Sequence, residues 1–542
     1  MDRVIFYKQA SKYPYIYGSE DGIFFKLTGL RASAGAVLFR EKRKSALFVD
    51  GRYTAAARQS VNLEKFDLLD YSRTNIQDWV SKNISEDSQI CIDETVFTLA
   101  EVAFWKEKFK GYQLEFLNLE RELGVSYPKR PLQLIPMPNM KNELQLRLSH
   151  IFKAITDNKL DAYLVSDPCS VSWCLGIRDL GTNCSKAVLA RMLVTRDKQV
   201  ILFLDENYTI SSIGQSKTEK NLKNELGKFK KIGMDFAETS YSLRSNNLVD
   251  VINPLILPKA IKTEAEIQNI QKSLEKDSAA IINFLYWFHN CDYPITEMQA
   301  ASQMLHFRKL QQGFVGESFE CIAAADENAA IVHYSPDDNH NKTIENILLL
   351  DSGGQYMYGT TDITRTVALL TPTEEQRIFY TLVLKGHVAL ARAKFPKGTS
   401  GGQLDRLARQ FLKEKQADYA HGTGHGVGYL LNVHEGPVSL SPVCNEEVCA
   451  GMILTNEPGY YREGAFGIRL ENMMRVMECE DNLLGFETIS LVPFDLKFVE
   501  KSLLTEAEIS WIKAYHEKIL TRVEPLLEKN VAEWLKYAIE WK

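Results

Sequence analysis

Residues 420–437, "AHGTGHGVGYLLNVHEGP", place three histidines, His421, His425 and His434, in one run with glycines at 422, 424, 426 and 428. Two readings compete for such a stretch. Alternating glycines let backbone approach a pyrophosphate, but a dinucleotide-binding loop also needs a strand before it, a helix after it and an acidic residue about 20 positions on, after a second strand. The continuation "YLLNVHEGP" carries no helix-start signal, and no such acid follows. A metal or acid/base site is the sharper reading, and it needs partners elsewhere in the chain.

Bulk composition sets the frame for that search. The chain has 542 residues, 45% hydrophobic and 25% charged, which is ordinary for a globular protein and long enough for about two to four domains. Its 64 basic and 70 acidic residues give a net charge of -6 without long like-charge blocks, so neither nucleic acid nor an anionic membrane is indicated as a partner. Nine cysteines, with no C-x-x-C pair, fit free thiols in a reducing compartment, hence a cytoplasmic location. The start, "MDRVIFYKQASKYPYIYG" (1–18), interrupts every apolar stretch with polar residues and reads as neither signal peptide nor membrane anchor.

Two proline-rich stretches mark boundaries: "SYPKRPLQLIPMPN" (126–139), which cannot hold a regular helix or a central strand, and "VINPLILPKAIKTEAEI" (251–267) before a long amphipathic helix pattern. The segments they delimit contain "AGAVLFREKRKSALFVDGRY" (34–53) and "ARMLVTRDKQVILFLDEN" (190–207), each an apolar strand, a charged turn and a second apolar strand ending in Asp. Each segment reads as a small α/β unit, and the likeness suggests a weak internal duplication. The expected domains are 1–134, 135–255 and 256–542, the last with a C-terminal extension from about 490. In the third, "TPTEEQRIFYTLVLKGHVALARAKF" predicts a helix with Thr371 at its N-cap, Pro372 at the first helical position and Glu374 closing a capping box. "GGQLDRLARQFLKEK" predicts another, so the local plan is a strand hairpin, two helices and more strands.

The partners come from the same segment. "NILLLDSGGQYMYGTTDITRT" puts Asp351 at the end of an apolar run and Asp362 after a Gly-Thr-Thr turn, where a hairpin would let the two carboxylates face each other. "GMILTNEPGYYREGAFGIRLENMMRV" has Glu457 after an apolar strand and Glu471 inside what reads as a return strand, "GIRLENMMRV". An unpaired carboxylate in a sheet interior costs several kcal/mol, so Glu471 calls for a cation. Two aspartates, two glutamates and at least one histidine form an oxygen-rich set suited to two divalent ions sharing bridging carboxylates, whereas a closed structural zinc site would bring cysteine.

In order, "LLDSGGQY…GTTDITRT", "HGTGHGVG…NVHEGP", "LTNEPGYY" and "GIRLEN" resemble the successive motifs of the pita-bread metallopeptidases, specifically the cytosolic three-domain Xaa-Pro aminopeptidases. The resemblance extends to "SLLTEAEISWIKAYHEKI" (502–519), similar to that subgroup's C-terminal extension, and to "VDGRY" (49–53). It implies an α/β (α+β) chain: a C-terminal pita-bread catalytic domain preceded by two creatinase-like α/β domains. It further implies that Asp351 binds one metal, that Asp362 and Glu471 bridge two, usually manganese, and that His425 and Glu457 complete the other shell. The metals would hold a bridging water and lower its pKa, with Glu457 as proton acceptor. His434 would sit against the scissile carbonyl oxygen, and His333 in "AAIVHYSP" and His421 would line the substrate site and stabilise developing charge. Arg469 would orient the bridging carboxylates next to substrate. His333 could alternatively be a buried strand histidine.

The implied activity is hydrolysis of the bond between an N-terminal residue and a following proline. A prolidase-like dipeptidase shares the ligands, and a pseudo-peptidase binding module shares the fold but loses ligands, whereas all five positions are present here. "LTGLRASAG", with Arg31, and "WCLGIRDLGTNC" depart from the family pattern in the first two domains. Apolar residues at helical spacing in "EAEISWIKAYHEKILTRVEPLLEKNVAEWLKYAIEW" suggest a homodimer, or else a stripe packed on its own domain.

Overall fold

Both stretches read as strand, charged turn and strand fold as antiparallel hairpins, Ala36–Phe39 with Ser45–Val49 and Ala190–Thr195 with Val200–Leu204. The computed structural model describes residues 3–9, 22–71, 73–125, 132–138, 140–204, 215–338 and 340–541. Most of the amino-terminal stretch 10–18, part of the proline-rich stretch (126–131 and 139) and Asp205, which ends the second hairpin pattern, lie outside the described residues.

The hairpins sit in two six-stranded sheets of one topology. The first runs Phe66–Asp70, Ser45–Val49, Ala36–Phe39, Arg3–Lys8, Gln89–Asp93, Gln113–Leu117. The second runs Gln215–Thr218, Val200–Leu204, Ala190–Thr195, Ala162–Val165, Ile232–Met234, Leu248–Asp250. Taken in that order, neighbouring strands pair parallel, antiparallel, antiparallel, parallel and parallel in both. The duplication suspected from two hairpins is therefore a duplication of whole sheets. Alternation along a strand sends successive side chains to opposite faces. In Arg3–Lys8, Val4 and Phe6 enter one core with Trp79 and Val102 from flanking helices, and Ile5 and Tyr7 enter another with Phe24 and Ala57. Within the proline-rich stretch, Leu134–Pro136 makes only a two-stranded ribbon with Ile177–Asp179, a pairing that tolerates proline.

The chain divides into two compact units, residues 1–182 with 187–259, and residues 183–186 with 260–542. The second opens on helices Glu264–Asn290 and Glu297–Lys309. It contains a three-stranded sheet ordered Ile322–Ala325, Ile347–Ser352, Ile363–Ala368. It also contains a six-stranded sheet ordered Lys394–Pro396, Leu483–Thr488, Asn472–Glu478, Ile453–Asn456, Gly424–Gly426, Glu435–Leu440. Helices Glu374–Ala391 and Gly401–Lys413 pack together between these strands in the chain. Strand hairpin, two helices and further strands is the order the sequence predicts.

Three local expectations change. Thr373, not Thr371, caps the helix that begins at Glu374: its hydroxyl accepts from the Gln376 amide at 3.2 Å and its own amide donates to the Gln376 side chain at 2.8 Å. Two overlapping capping boxes exist in "TPTEEQ", and the amides of Leu369 and Leu370 remain tied to the Asn346 carbonyl, which keeps the chain extended and delays the helix. "GIRLENMMRV" is not one strand: Phe466–Arg469 pairs with Gly459–Arg462, Asn472–Glu478 joins the six-stranded sheet, and the chain changes sheets at Leu470 and Glu471. The C-terminal stripe packs on its own unit. Ile512, Tyr515, Ile519, Val531 and Leu535 share a core with Ile282, Tyr380, Val383 and Phe494. All nine cysteines are free thiols. Among the described residues no helix is long and apolar enough to cross a membrane.

Candidate active site

Strand ends gather the acidic residues. Asp351 lies one residue from the end of Ile347–Ser352, opposite Thr364 in the antiparallel register, and Asp362 immediately precedes Ile363–Ala368. Glu457 follows Ile453–Asn456 directly, Glu471 stands in the break between two strands, and His425 is the middle residue of Gly424–Gly426. The glycine alternation around His425 serves this convergence. A Cβ at Gly424 would collide with the Thr455 carbonyl oxygen and one at Gly426 with that of Glu435, so only glycine lets these strands approach.

His425 Nδ1 lies 2.9 Å from the Gly426 carbonyl oxygen and donates to it, which leaves the Nε2 lone pair facing carboxylates. Nε2 is 3.4 Å from Asp362 and 3.6 Å from Glu457. One ligand atom each of Asp362, His425 and Glu471 lie within 4.8 Å of one another. The Glu471 carboxylate is buried and accepts from the Thr364 hydroxyl at 2.7 Å. Asp351 accepts through Oδ2 from Arg469 Nη2 at 2.6 Å, while its Oδ1 is buried without a hydrogen-bond partner among the described residues.

Burial, and then the neighbouring Asp351 and Glu457, hold the Asp362 carboxyl well above the usual carboxylate range. Burial followed by Asp362 and Asp351 does the same to Glu471, and burial followed by Glu471 pushes Glu457 up to about 8. Four carboxylates thus lie around the guanidinium of Arg469, and buried like charges cannot all ionise without further cations. An orphaned buried carboxylate oxygen, an imidazole nitrogen aimed at carboxylates and an otherwise all-oxygen donor set suit hard-to-borderline divalent cations.

These raised pKa values have a consequence for stability that can be tested. A carboxyl with a folded-state pKa above its ordinary value near 4.5 stays protonated in the folded chain while the unfolded chain ionises, so the folded state loses stability as pH rises from about 4.5 to about 8. With metal chelated, the melting temperature is expected to fall across that window. Adding a divalent metal near neutral pH should restore it and release protons, read by calorimetry in buffers of different ionisation enthalpy. A chelated protein equally stable at both ends of the window would contradict the clustering of protonated acids.

The structure departs from expectation at Arg469. Its buried guanidinium pairs with Asp351, with no ion pair to Asp362 or Glu471 among the described residues, and donates through Nη1 to the Tyr461 hydroxyl at 2.8 Å. Tyr461 in turn lies 2.8 Å from His421 Nε2. His421 Nδ1 donates to the Gly422 carbonyl at 2.7 Å, so Nε2 accepts and the tyrosine O–H donates. Burial pushes the Tyr461 hydroxyl up to about 12, which keeps it a donor. Sequence reasoning missed Tyr461. Only the register reveals it: Gly459 pairs with Arg469, so Tyr461, two residues on, is the diagonal same-face neighbour, and a Cβ at Gly459 would lie 2.6 Å from the tyrosine oxygen.

The histidine loop is held from helix Gly401–Lys413. Arg409, paired with Asp405, donates to the carbonyls of Tyr419 (2.7 Å) and His421 (2.6 Å). His434 is exposed, with its ring centroid 4.2 Å from that of His425. The residue after it, Glu435, is anchored by a buried ion pair with Lys262 at 2.6 Å. His333 is half-buried in a turn, not in a strand, following Asp326–Ala330. Buried Glu297 fixes that turn by accepting from the Ala325 amide, Asn328, the Tyr334 hydroxyl and the Lys342 amide, and Ala329 packs so tightly on Gly467 that a Cβ there would collide with its carbonyl. The turn bearing His333 therefore lies against the strand that ends in Arg469.

Comparison with known proteins agrees with this architecture. Residues 268–478 match metallopeptidase family M24, residues 482–540 match the C-terminal region of peptidase M24, and residues 21–123 and 125–266 each match a creatinase/prolidase N-terminal domain. The chain belongs to metallopeptidase family M24: it is a peptide hydrolase with a pita-bread catalytic domain behind two creatinase-type domains.

Within that family it is 33% identical to Xaa-Pro aminopeptidase 1 of Dictyostelium discoideum, over 99% of this chain and 95% of the relative. It is 32% identical to aminopeptidase P2 of Arabidopsis thaliana, over 94% and 81%. The X-prolyl aminopeptidase of Caenorhabditis elegans, a cytosolic enzyme with a di-nuclear active site, superposes with a TM-score of 0.92 at 29% identity over 99% of this chain and 95% of its own. The prolidase of Pyrococcus furiosus shares the fold at a TM-score of 0.52 and 24% identity over 62% of this chain and 98% of its own.

Proposed function

We propose that this chain is a metal-dependent aminopeptidase that cleaves the bond between an N-terminal residue and a following proline. The observation that carries the reading is the likeness to Xaa-Pro aminopeptidases over nearly the whole chain, together with a cluster of four carboxylates and one imidazole suited to divalent cations. Asp351, Asp362, His425, Glu457 and Glu471 would hold two divalent ions, manganese in this reading. Such ions supply Lewis acidity and water of lowered pKa when bound. Glu457 would accept the proton of the attacking water at its carboxylate. His434, exposed beside His425, donates to the carbonyl oxygen as charge develops, and His333 and His421 line the substrate site. Arg469 acts through Asp351, whose orientation it fixes.

Three domains, 1–134, 135–255 and 256–542, are part of the proposal, supported by two sheets of like topology preceding the catalytic unit. A cytoplasmic location is supported by nine free thiols and by the cytosolic relative. Association into a homodimer stays part of the proposal, although the C-terminal stripe that suggested it packs on its own unit. Light scattering at micromolar concentration should return twice the chain mass; a strict monomer removes the dimer.

Substrate choice is the direct test. A bond to proline nitrogen lacks an N–H, so recognition must come from the ring rather than from that donor. Given manganese, the protein should release arginine from Arg-Pro-Pro and leave Met-Ala-Ser intact, because without the ring the scissile bond is held in poor attack geometry. Xaa-Pro dipeptides should be poorer than tripeptides. Cleavage of dipeptides alone would favour a prolidase, and best cleavage of Met-Ala-Ser a methionine aminopeptidase.

A further inference from the structure

Glu471 occupies a break between two strands, where no sheet ladder fixes it, so something else must hold a residue whose carboxylate would serve as a metal ligand. Two consecutive residues of Ile363–Ala368 do so from opposite faces. Thr364 accepts the Glu471 amide through its carbonyl (3.1 Å) and donates its hydroxyl to the carboxylate (2.7 Å). Arg365 takes the other side: Nη1 donates to the Glu471 carbonyl at 2.7 Å and to the Thr364 carbonyl at 2.7 Å.

The rest of the Arg365 guanidinium is spent on the C-terminal region. Nε donates to the Pro493 carbonyl at 3.0 Å, and Nη2 to the Val492 carbonyl (2.6 Å), the Tyr515 hydroxyl (3.1 Å) and the Asn472 side chain (2.8 Å). The group is 1% exposed, lies 4.7 Å from the Phe494 ring centroid, and all of these acceptors are neutral. A buried guanidinium bonded to neutral groups alone is a poor way to gain stability, since an apolar side chain of similar size would fill the space without the desolvation cost. What the group does hold is the backbone carbonyl of Glu471 together with the carbonyls of Val492 and Pro493. His387 completes the frame from helix Glu374–Ala391, donating through Nδ1 to the Leu470 carbonyl at 3.2 Å and accepting at Nε2 from Asn472 Nδ2 at 3.1 Å.

We infer that Arg365 is the positioning residue for Glu471, and that through Arg365 the C-terminal helix Glu506–Arg522, by way of Tyr515, takes part in assembling the metal site. The inference rests on Glu471 being a metal ligand as proposed above. It is tested on the full chain by calorimetric titration of the metal-free protein with Mn²⁺ alone, beside kcat and KM on an Xaa-Pro tripeptide. Wild type should bind two ions and Glu471→Gln should lose one.

Arg365→Lys, which keeps charge and loses the fork, should weaken one of the two sites by roughly 10- to 100-fold, with kcat restored by excess Mn²⁺ and KM unchanged. Tyr515→Phe should weaken the same site several-fold. A melting temperature lowered in both variants with both Mn²⁺ affinities at the wild-type level would overturn the inference and leave the site reading intact. If Arg365→Lys does not fold, Tyr515→Phe decides alone, and wild-type affinities in it overturn the inference. A wild type that binds fewer than two ions overturns the site reading and this inference together.

Discussion

Replacing Glu471 by glutamine, or Asp362 by asparagine, is expected to abolish hydrolysis of Xaa-Pro peptides while the chain remains folded. Either amide matches the carboxylate in shape, and a glutamine side chain in place of Glu471 can still accept from the Thr364 hydroxyl, which bonds the native carboxylate at 2.7 Å. What disappears is the negative charge with which, in the proposed reading, each residue would hold the metal ions. Activity should fall by at least about 10³-fold, since hydrolysis loses the water activation that the metal pair supplies. The metal-free variants should melt at or above the wild-type temperature near pH 8, because each removes one member of a buried acidic cluster in which burial and neighbouring carboxylates already resist ionisation. Metal analysis, melting and turnover measured together check the prediction. Near wild-type turnover with both ions bound would refute the two-metal assignment.

His434→Ala should lower kcat by roughly 10²- to 10³-fold with KM almost unchanged. A donor aimed at an oxygen that becomes charged only during reaction acts on the transition state, and removal of one such donor typically has this size of effect. His434 is exposed beside the His425 ring, and the adjacent Glu435–Lys262 ion pair stays in place, so truncation removes little packing. Folding and Mn²⁺ affinity should match wild type. A loss confined to KM would place His434 in ground-state binding.

The uneven legibility of the site has physical causes. Asp351 and Glu457 stand where apolar runs stop at an acid, and Asp362 stands between a Gly-Thr-Thr turn and the strand it opens, so local pattern announced all three. His425 was flagged by glycines, though these admit a neighbouring strand and no pyrophosphate. Glu471 was found by the reasoning that a sheet interior cannot hold a bare carboxylate, yet it lies in a strand break and not within a strand. Tyr461 and Arg365 went unread because a tyrosine and an arginine in strands say nothing about their partners until the cross-strand register is known.

What the sequence determined by itself is what local chemistry can encode: two α/β segments with matching hairpins, the helix pair before the histidine loop, and the acids and imidazoles of one candidate site, each announced by neighbours a few positions away. What the tertiary structure decided is pairing over distance. It chose Thr373 over Thr371 as cap because Leu369 and Leu370 are held by Asn346, and it gave Arg469 to Asp351, 118 positions earlier. It folded the C-terminal stripe onto its own core and carried Tyr515 to Arg365, 150 positions away. Such contacts depend on strand order, register and burial, which are properties of the packed sheets as a whole, and a buried polar group takes whichever partner that packing leaves within reach.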